Sequence, residues 1–528
     1  MSRSRCAKNH LLRAAISARA SELDGRLPMT EQRTLVELFE QHPSPNNASF
    51  IVGVEGLASY SYGHAWSLAA QIANAIEARG VHPGDRVAMQ VVKSSEALIA
   101  YLACLRAGAV LVPLNPGATE AELDYLLADA EPTLVIGDPA LAACRSSVAS
   151  TLPRLTLDAA GAGTLRDEAA AQSTGAPQFV PSPDSIAAMV YTSGTTGRPK
   201  GALVSHRNLT SNAQTLARAW GFTAADRLLH VLPIFHVHGL FVATNCTIAG
   251  GGAMVLAPRF DVDVVLEQLP ECTVMMGVPT FYTRLLADER FGVDTCARAR
   301  VIISGSAPLL ASTYVEFEQR TKQMILERYG MSETSMLTSN PLHGVRKPAT
   351  VGPALAGVEV RVVEHATGKL AGTNQIGDIE VAGPNVFAGY WKRPELNATE
   401  FTTEGFFRTG DVGTFDADGY LSIVGREKDL IISGGLNVYP KEIEEAIDAL
   451  PGVVVSAVIG VPDADFGEAV VAVIVCAAGV VIDANELRAS LRTVLAAYKV
   501  PKQIHVVDTL PQNAMGKVEK SKLRDTYA

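Results

Sequence analysis

None of the seven cysteines (Cys6, Cys104, Cys144, Cys246, Cys272, Cys296, Cys476) forms a C-x-x-C pair, and their count is odd. A disulfide framework and a zinc knuckle are therefore not indicated, and free, mostly buried thiols in a reducing compartment are the simplest reading. No apolar run reaches the ~20 residues that would span a bilayer, so no membrane partner is expected. An excess of positive charge is also missing. The formal net charge is −10, which argues against a nucleic-acid or anionic-membrane partner for the surface as a whole. Any anionic ligand must then meet a local basic cluster. Internal repeats and heptads are lacking too. The chain has no acid before Glu22, but it has Arg3, Arg5, Lys8, Arg13 and Arg19 there. Residues 1–28 read as a disordered basic extension. An organellar transit peptide and a lead-in before an alternative start at Met29 are the other readings. The expected location is the cytoplasm, with organellar import as the alternative.

What is present begins with "VYTSGTTGRPKGALVSH" (190–206). "SIAAMVYT" reads as a buried strand. After the loop, Ser205 suits a helix N-cap ahead of an apolar face of Leu209, Ala213, Leu216 and Trp220. The glycine-rich stretch is thus expected to link a strand to a helix and to cradle phosphate oxygens. Gly194 and Gly197 permit close approach, Thr192, Ser193, Thr195 and Thr196 supply hydroxyls, and Lys200 supplies a point charge. It is not the P-loop G-x-x-x-x-G-K-[ST], because Pro199 precedes Lys200. A plain flexible surface loop is the competing reading.

A chain of 528 residues is too long for one core. From residue 35 to about 425, capped helices, glycine stops and buried strands alternate, which argues for α/β layers with largely parallel sheets. Residues 158–185 read as a loop excursion. From about 350 short strands and glycine turns suggest a compact β subdomain. From about 427 an amphipathic helix "YPKEIEEAIDAL" and the runs "VVVSAVIGVP" and "AVVAVIV" suggest a small α+β unit. The fold class is α/β: a large N-terminal domain (29–427) of layered α/β subdomains plus a β subdomain, and a small, mobile α+β C-terminal domain (428–528).

Further segments invite chemistry, although each alone is more often structural. His236 and His238 in "LPIFHVHGLF" suit core or ligand-orienting roles better than a metal pair. "ISGSAPL" carries Gly305, Ser306 and Ala307 in a small-residue loop. "LERYGMSET" offers Tyr329 as a stacking platform and Glu333 as a ligand for a hard cation. Asp411 in "FFRTGDVG" could accept from ribose hydroxyls. Arg426 opens the basic segment "GREKD", and Lys517 lies in "QNAMGKVEK" near the end of the chain.

In their order, these motifs resemble the adenylate-forming superfamily of acyl-CoA synthetases, peptide-synthetase adenylation domains and luciferases, over nearly the whole chain from about 30 to 527. "GVPTFYTRLL", "ERYGMSETSMLTSNP" and "DLIISGGLNVYPKEIE" look most like its malonyl-CoA synthetase branch, with Ser332 where threonine is more usual. The resemblance implies ATP, Mg²⁺ and coenzyme A, and ligation of malonate through an acyl-adenylate. It places ATP on Thr192 to Lys200 (with Arg198 and Pro199), Gly305 to Ala307, Tyr329, Gly330, Asp411 and Arg426. Glu333 would hold Mg²⁺. Lys517 would join carboxylate to α-phosphate, and His236, Ser306 and Met331 would line the acyl site. Lys428 would be a hinge, and Ser433, Gly434 and Gly435 would wall the CoA channel. Arg284, early in a helix after the apolar "CTVMMGVP", would pair with the distal carboxylate. Methylmalonate or oxalate ligation, a luciferase-like oxidation and a noncatalytic nucleotide-binding scaffold are the alternatives.

Overall fold

A computed structural model describes residues 33–528 apart from Ala176, Gln178, 194–197, 434–435, Ala464, Ala478, Val481 and 514–516, and without the Ser193 side chain. The expectation for residues 1–28 thus lies outside the described residues.

Alternating helix and strand signals fold into two large sheets. In one, the strands run Gly389–Tyr390, Pro199–Ser205, Ile186–Ser193, Val110–Pro113, Arg86–Gln90, Leu134–Gly137 and Arg154–Thr156, in that spatial order. In the other they run Ser335–Ser339, Ile325–Met331, Val301–Ser304, Val274–Gly277, Arg227–His230, Ala253–Leu256, Ser49–Gly53 and Tyr60–Ser61. The central strands of both are parallel, and Val110–Pro113, Leu134–Gly137, Val274–Gly277 and Val301–Ser304 are buried throughout, as parallel strands covered on both faces are. Helix Ser95–Arg106 is buried along its whole length, and one apolar cluster joins it to both sheets through Val87, Leu111, Met254 and Ile303. The β subdomain is a four-stranded antiparallel sheet of Glu359–Val363, Gly377–Ala382, Phe407–Phe415 and Leu421–Arg426. After a short turn at Glu427–Asp429, the chain enters the C-terminal unit. There, Pro440–Asp448 packs on a sheet built around Val453–Asp463 and Gly467–Cys476.

Three expectations need correction. The glycine-rich stretch does not join a strand to a helix: Ile186–Ser193 pairs antiparallel with Pro199–Ser205, and Ser193 stands opposite Pro199. The two strands on either side of the stretch pair as a hairpin does, and proline is tolerated because it takes the first position of its strand. Only then does helix His206–Ala219 begin, with Ser205 and Asn208 forming a capping box. Second, the excursion at 158–185 contains helix Thr164–Ala170. Leu165 and Ala169, four residues apart, are both buried there, and Glu168 pairs with Arg79. Third, Arg284 is not early in its helix. It lies in the last turn of Pro279–Leu286.

Candidate active site

Four sheet ends converge on one cleft. Strand Ile186–Ser193 brings Thr192, and the loop after Met331 brings Glu333. Glu333 is buried, and its Oε1 accepts from Thr192 Oγ1 (3.1 Å) and from Tyr390 OH (2.9 Å). Its backbone is held as well, because its carbonyl accepts from Phe387 N–H at 2.8 Å. Lys200 is buried on the neighbouring strand. Its ammonium lies over the Tyr390 ring (4.6 Å to the centroid) and 4.0 Å from Glu400.

The strand Ile325–Met331 presents opposite faces to two compartments. Tyr329 turns toward the β subdomain and donates to Asp411 Oδ2 at 2.5 Å. Asp411 is buried, and its Oδ1 lies 2.9 Å from Arg426 Nε. Burial, and then the Asp411 carboxylate beside it, push the Tyr329 phenol well above its usual range. Asp411 and Arg426 face each other across paired strands.

The other face carries Arg328, which the motifs did not single out. It is buried, and its Nε and Nη2 have no hydrogen-bond partner among the described residues. Burial lowers its guanidinium to about 10. A Cβ on Gly305 would collide with this guanidinium, so glycine there is a condition for the arginine's place. Beside it, buried His238 has Nδ1 3.3 Å from Ser306 Oγ, and His238 Nε2 is likewise unpartnered. Ser306 sits at φ 72, a left-handed conformation that only a well-supported loop imposes on serine. His238 opens a π-helical turn, His238–Ala243, a rarity that recurs at functional sites. His236 precedes it. Burial, and then the charge of Lys517, lower His236 to about 4.

That effect puts Lys517 in this cleft although it comes from the C-terminal unit. The residue is exposed by surface because the cleft is open. Its ammonium nevertheless stands among enough protein atoms that desolvation, and then Arg426, lower it to about 8, while Asp411 and Glu333 act in the opposite sense. Its strand segment is closed by the Gln512–Val518 bridge. Lys428 is exposed in the turn between the two units. Ser433 is buried at the end of Ile431–Ser433. Gly330 and Met331 are half-buried, and Arg198 is exposed over the Tyr125 ring (5.7 Å). Gly194, Thr195, Thr196, Gly197, Gly434 and Gly435 lie outside the described residues. Arg284 is exposed, and no carboxylate pairs with it among the described residues.

The oxygen set fits Mg²⁺. No group of three or more His, Cys, Asp or Glu among the described residues could hold a metal ion. One carboxylate and one hydroxyl, Glu333 and Thr192, are what remains. Mg²⁺ is usually bound through one or two carboxylates completed by substrate phosphates.

The AMP-binding enzyme family matches residues 39–391, and its C-terminal domain family matches residues 442–517. The chain belongs to the adenylate-forming, AMP-binding enzymes. A feruloyl-CoA synthase from an Amycolatopsis species is 38% identical, over 87% of this chain and 92% of that protein. The mitochondrial malonate–CoA ligase ACSF3 of Mus musculus is 37% identical, over 83% and 81%. A sulfoacetate–CoA ligase of Cupriavidus necator is 36% identical, over 84% and 88%. ATP-bound MatB from Rhodopseudomonas palustris superposes with TM-score 0.91 at 50% identity, covering 94% of this chain and 99% of that one. Its apo form gives 0.81 at the same identity, covering 94% and 98%. As an adenylate-forming acid–CoA ligase, this enzyme uses ATP, Mg²⁺ and coenzyme A.

Proposed function

We propose that the enzyme ligates malonate to coenzyme A. The observation that carries this reading is Arg328, a buried cation whose Nε and Nη2 have no hydrogen-bond partner and which pairs with no carboxylate among the described residues. Such a charge is costly unless paired. A short acid with a second anionic group supplies the pair, and a guanidinium fits a carboxylate bidentately. Malonate and sulfoacetate, the acids named for two of the relatives, both carry a second anionic group. Ferulate carries an uncharged aryl group instead. Arg284, exposed and unpaired, is a second candidate for the same carboxylate.

In the first half-reaction, a malonate carboxylate oxygen attacks the α-phosphorus and pyrophosphate leaves. Lys200 and the hairpin tip from Thr192 to Pro199 hold the β- and γ-phosphates. Lys517 lies between the two anions that must meet, lowering their repulsion. Glu333 and Thr192 would hold Mg²⁺, which would neutralise phosphate charge. Asp411 and Arg426 hold the ribose, while Tyr329, Gly330 and the loop Gly305–Ala307 flank the adenine. His236, Ser306 and Met331 line the acyl side. In the second half-reaction, the CoA sulfur attacks the acyl carbon, its proton is lost and AMP departs. The C-terminal unit turns about Lys428, withdrawing Lys517 and bringing Ser433, Gly434 and Gly435 to the pantetheine arm.

Pyrophosphate release with malonate, methylmalonate, oxalate, sulfoacetate, butyrate and ferulate, with and without CoA, tests this. Malonate is expected to give the highest kcat/KM, with AMP release dependent on CoA. Removing one partner of a buried pair costs ~3–5 kcal/mol. Arg328→Met should therefore lose malonate activity by roughly a hundred- to several-thousand-fold and butyrate activity far less. A malonate-to-butyrate ratio unchanged by Arg328→Met but collapsed by Arg284→Leu would move the carboxylate to Arg284. Ferulate as the best acid would overturn the reading.

A further inference from the structure

Tyr390 touches both halves of the phosphate machinery. Its hydroxyl donates to Glu333 Oε1 (2.9 Å), and its ring lies under the Lys200 ammonium (4.6 Å). The residue is held on every side. Gly389–Tyr390 pairs with Leu203 and Ala202, next to Lys200 on the same strand. Asn397 Oδ1 accepts from Tyr390 N–H (2.7 Å), and Asn397 Nδ2 donates to the Tyr390 carbonyl (3.1 Å). The Phe387 ring packs edge-on at 4.8 Å. Tyr390 is buried.

We propose that Tyr390 is a positioning residue that ties the lysine of the pyrophosphate grip to the carboxylate that holds the cation. The inference rests on the roles given above to Lys200 and Glu333. Two hydroxyls, Tyr390 and Thr192, converge on Oε1. Oε2 accepts no hydrogen bond among the described residues, so it is the oxygen presented to a cation. The Lys200 ammonium is seated by the Tyr390 ring face and by the Glu400 carboxylate 4.0 Å away. Lys200 thereby does not draw on Glu333 for its counter-charge, and Glu333 stays available to the metal. A phenylalanine would keep the seat but release the carboxylate. A leucine would release both.

The two functions separate by binding, without turnover. Mn²⁺ binding to enzyme saturated with a non-hydrolysable ATP analogue is followed by electron paramagnetic resonance, and analogue binding in EDTA is followed by calorimetry. Tyr390→Phe is expected to weaken Mn²⁺ about tenfold, as loss of one charge-assisted hydrogen bond does. It should leave metal-free analogue binding within about twofold. Tyr390→Leu should weaken Mn²⁺ equally and metal-free analogue binding by a further factor of about three to ten. Melting temperatures report folding. Unchanged Mn²⁺ affinity in a folded Tyr390→Phe protein overturns the inference, and so does equal weakening of both ligands. Glu333→Gln is the control. If it weakens Mn²⁺ while Tyr390→Phe does not, only the inference fails. If Glu333→Gln leaves Mn²⁺ binding intact, the assignment of Glu333 fails first and takes the inference with it.

Discussion

In the role proposed for it Lys517 must be an ammonium, yet its surroundings favour the amine. Its pKa is depressed to about 8, so the working form is complete below that value and is lost as pH rises through it. Adenylation kcat/KM should be level below about pH 8 and fall tenfold per unit above. Lys517→Arg should remove this limb, because guanidinium stays charged. Thioester formation from supplied malonyl-adenylate should show no such limb and should survive Lys517→Ala. Pyrophosphate release and CoA consumption, measured separately from pH 6.5 to 9.5, check both statements. Glu333 after "YGMS" and Asp411 in a glycine turn could be picked out as candidates at this scale because each stands in a motif with chemistry of its own. Arg328 could not. Its meaning depends on Gly305, which follows strand Val301–Ser304, and on His238, which opens a π-helical turn, and on there being no paired carboxylate among the described residues, which only three dimensions reveal.

The turn Glu427–Asp429 is the element on which the proposed rotation depends. It is a short 3₁₀ helix, tied to the last helix of the chain, Lys520–Tyr527, by Arg524 Nη2 to Asp429 Oδ1 at 2.7 Å. In the present arrangement Lys517 lies near His236, Arg426, Asp411 and Glu333, which under the proposed roles is the arrangement for adenylation. The 3₁₀ conformation has φ near the value that proline imposes. Lys428→Pro should therefore hold this arrangement: pyrophosphate release should persist while transfer to CoA falls by an order of magnitude or more. Single-turnover assays of each half-reaction decide it, and equal loss of both would show that residue 428 is no hinge. The alternating helices and strands were legible because amphipathic periodicity and capping residues mark them locally. Helix Tyr62–Ala78, for example, is capped by Ser61 and followed by Gly80 at φ 85. The hairpin at 193–199 was not. "RPKGALVS" looks like a loop entering a helix, and only pairing with Ile186–Ser193 makes it a strand.

Across the whole molecule, buried imidazoles set the acid limit. Burial lowers His206 and His236 to about 4 and pushes His230 and His238 well below 6.5. Both ring nitrogens of His206 lack partners. In the unfolded chain these groups protonate near 6.5, whereas in the folded chain they resist. Their contribution is therefore complete above about 6.5 and is lost as pH falls toward 4. For His206 alone the loss by pH 5 is about 2 kcal/mol. The melting temperature should drop steeply between pH 7 and 5, and His206→Phe should flatten that drop. The two-unit organisation was legible from the change of pattern near 427. The way one unit delivers Lys517 to the other's cleft was not, because no local rule links residue 517 to residue 236. Arg328 raises the same issue with opposite sign. A positive charge walled in without a counter-ion makes the resting enzyme a trap for whatever small solute can supply one. Sodium nitrate should then raise the melting temperature more than sodium gluconate at equal ionic strength, and should inhibit competitively against malonate. Arg328→Met should respond alike to both salts. The choice of buffer would thus decide how hungry the purified protein is for its acid.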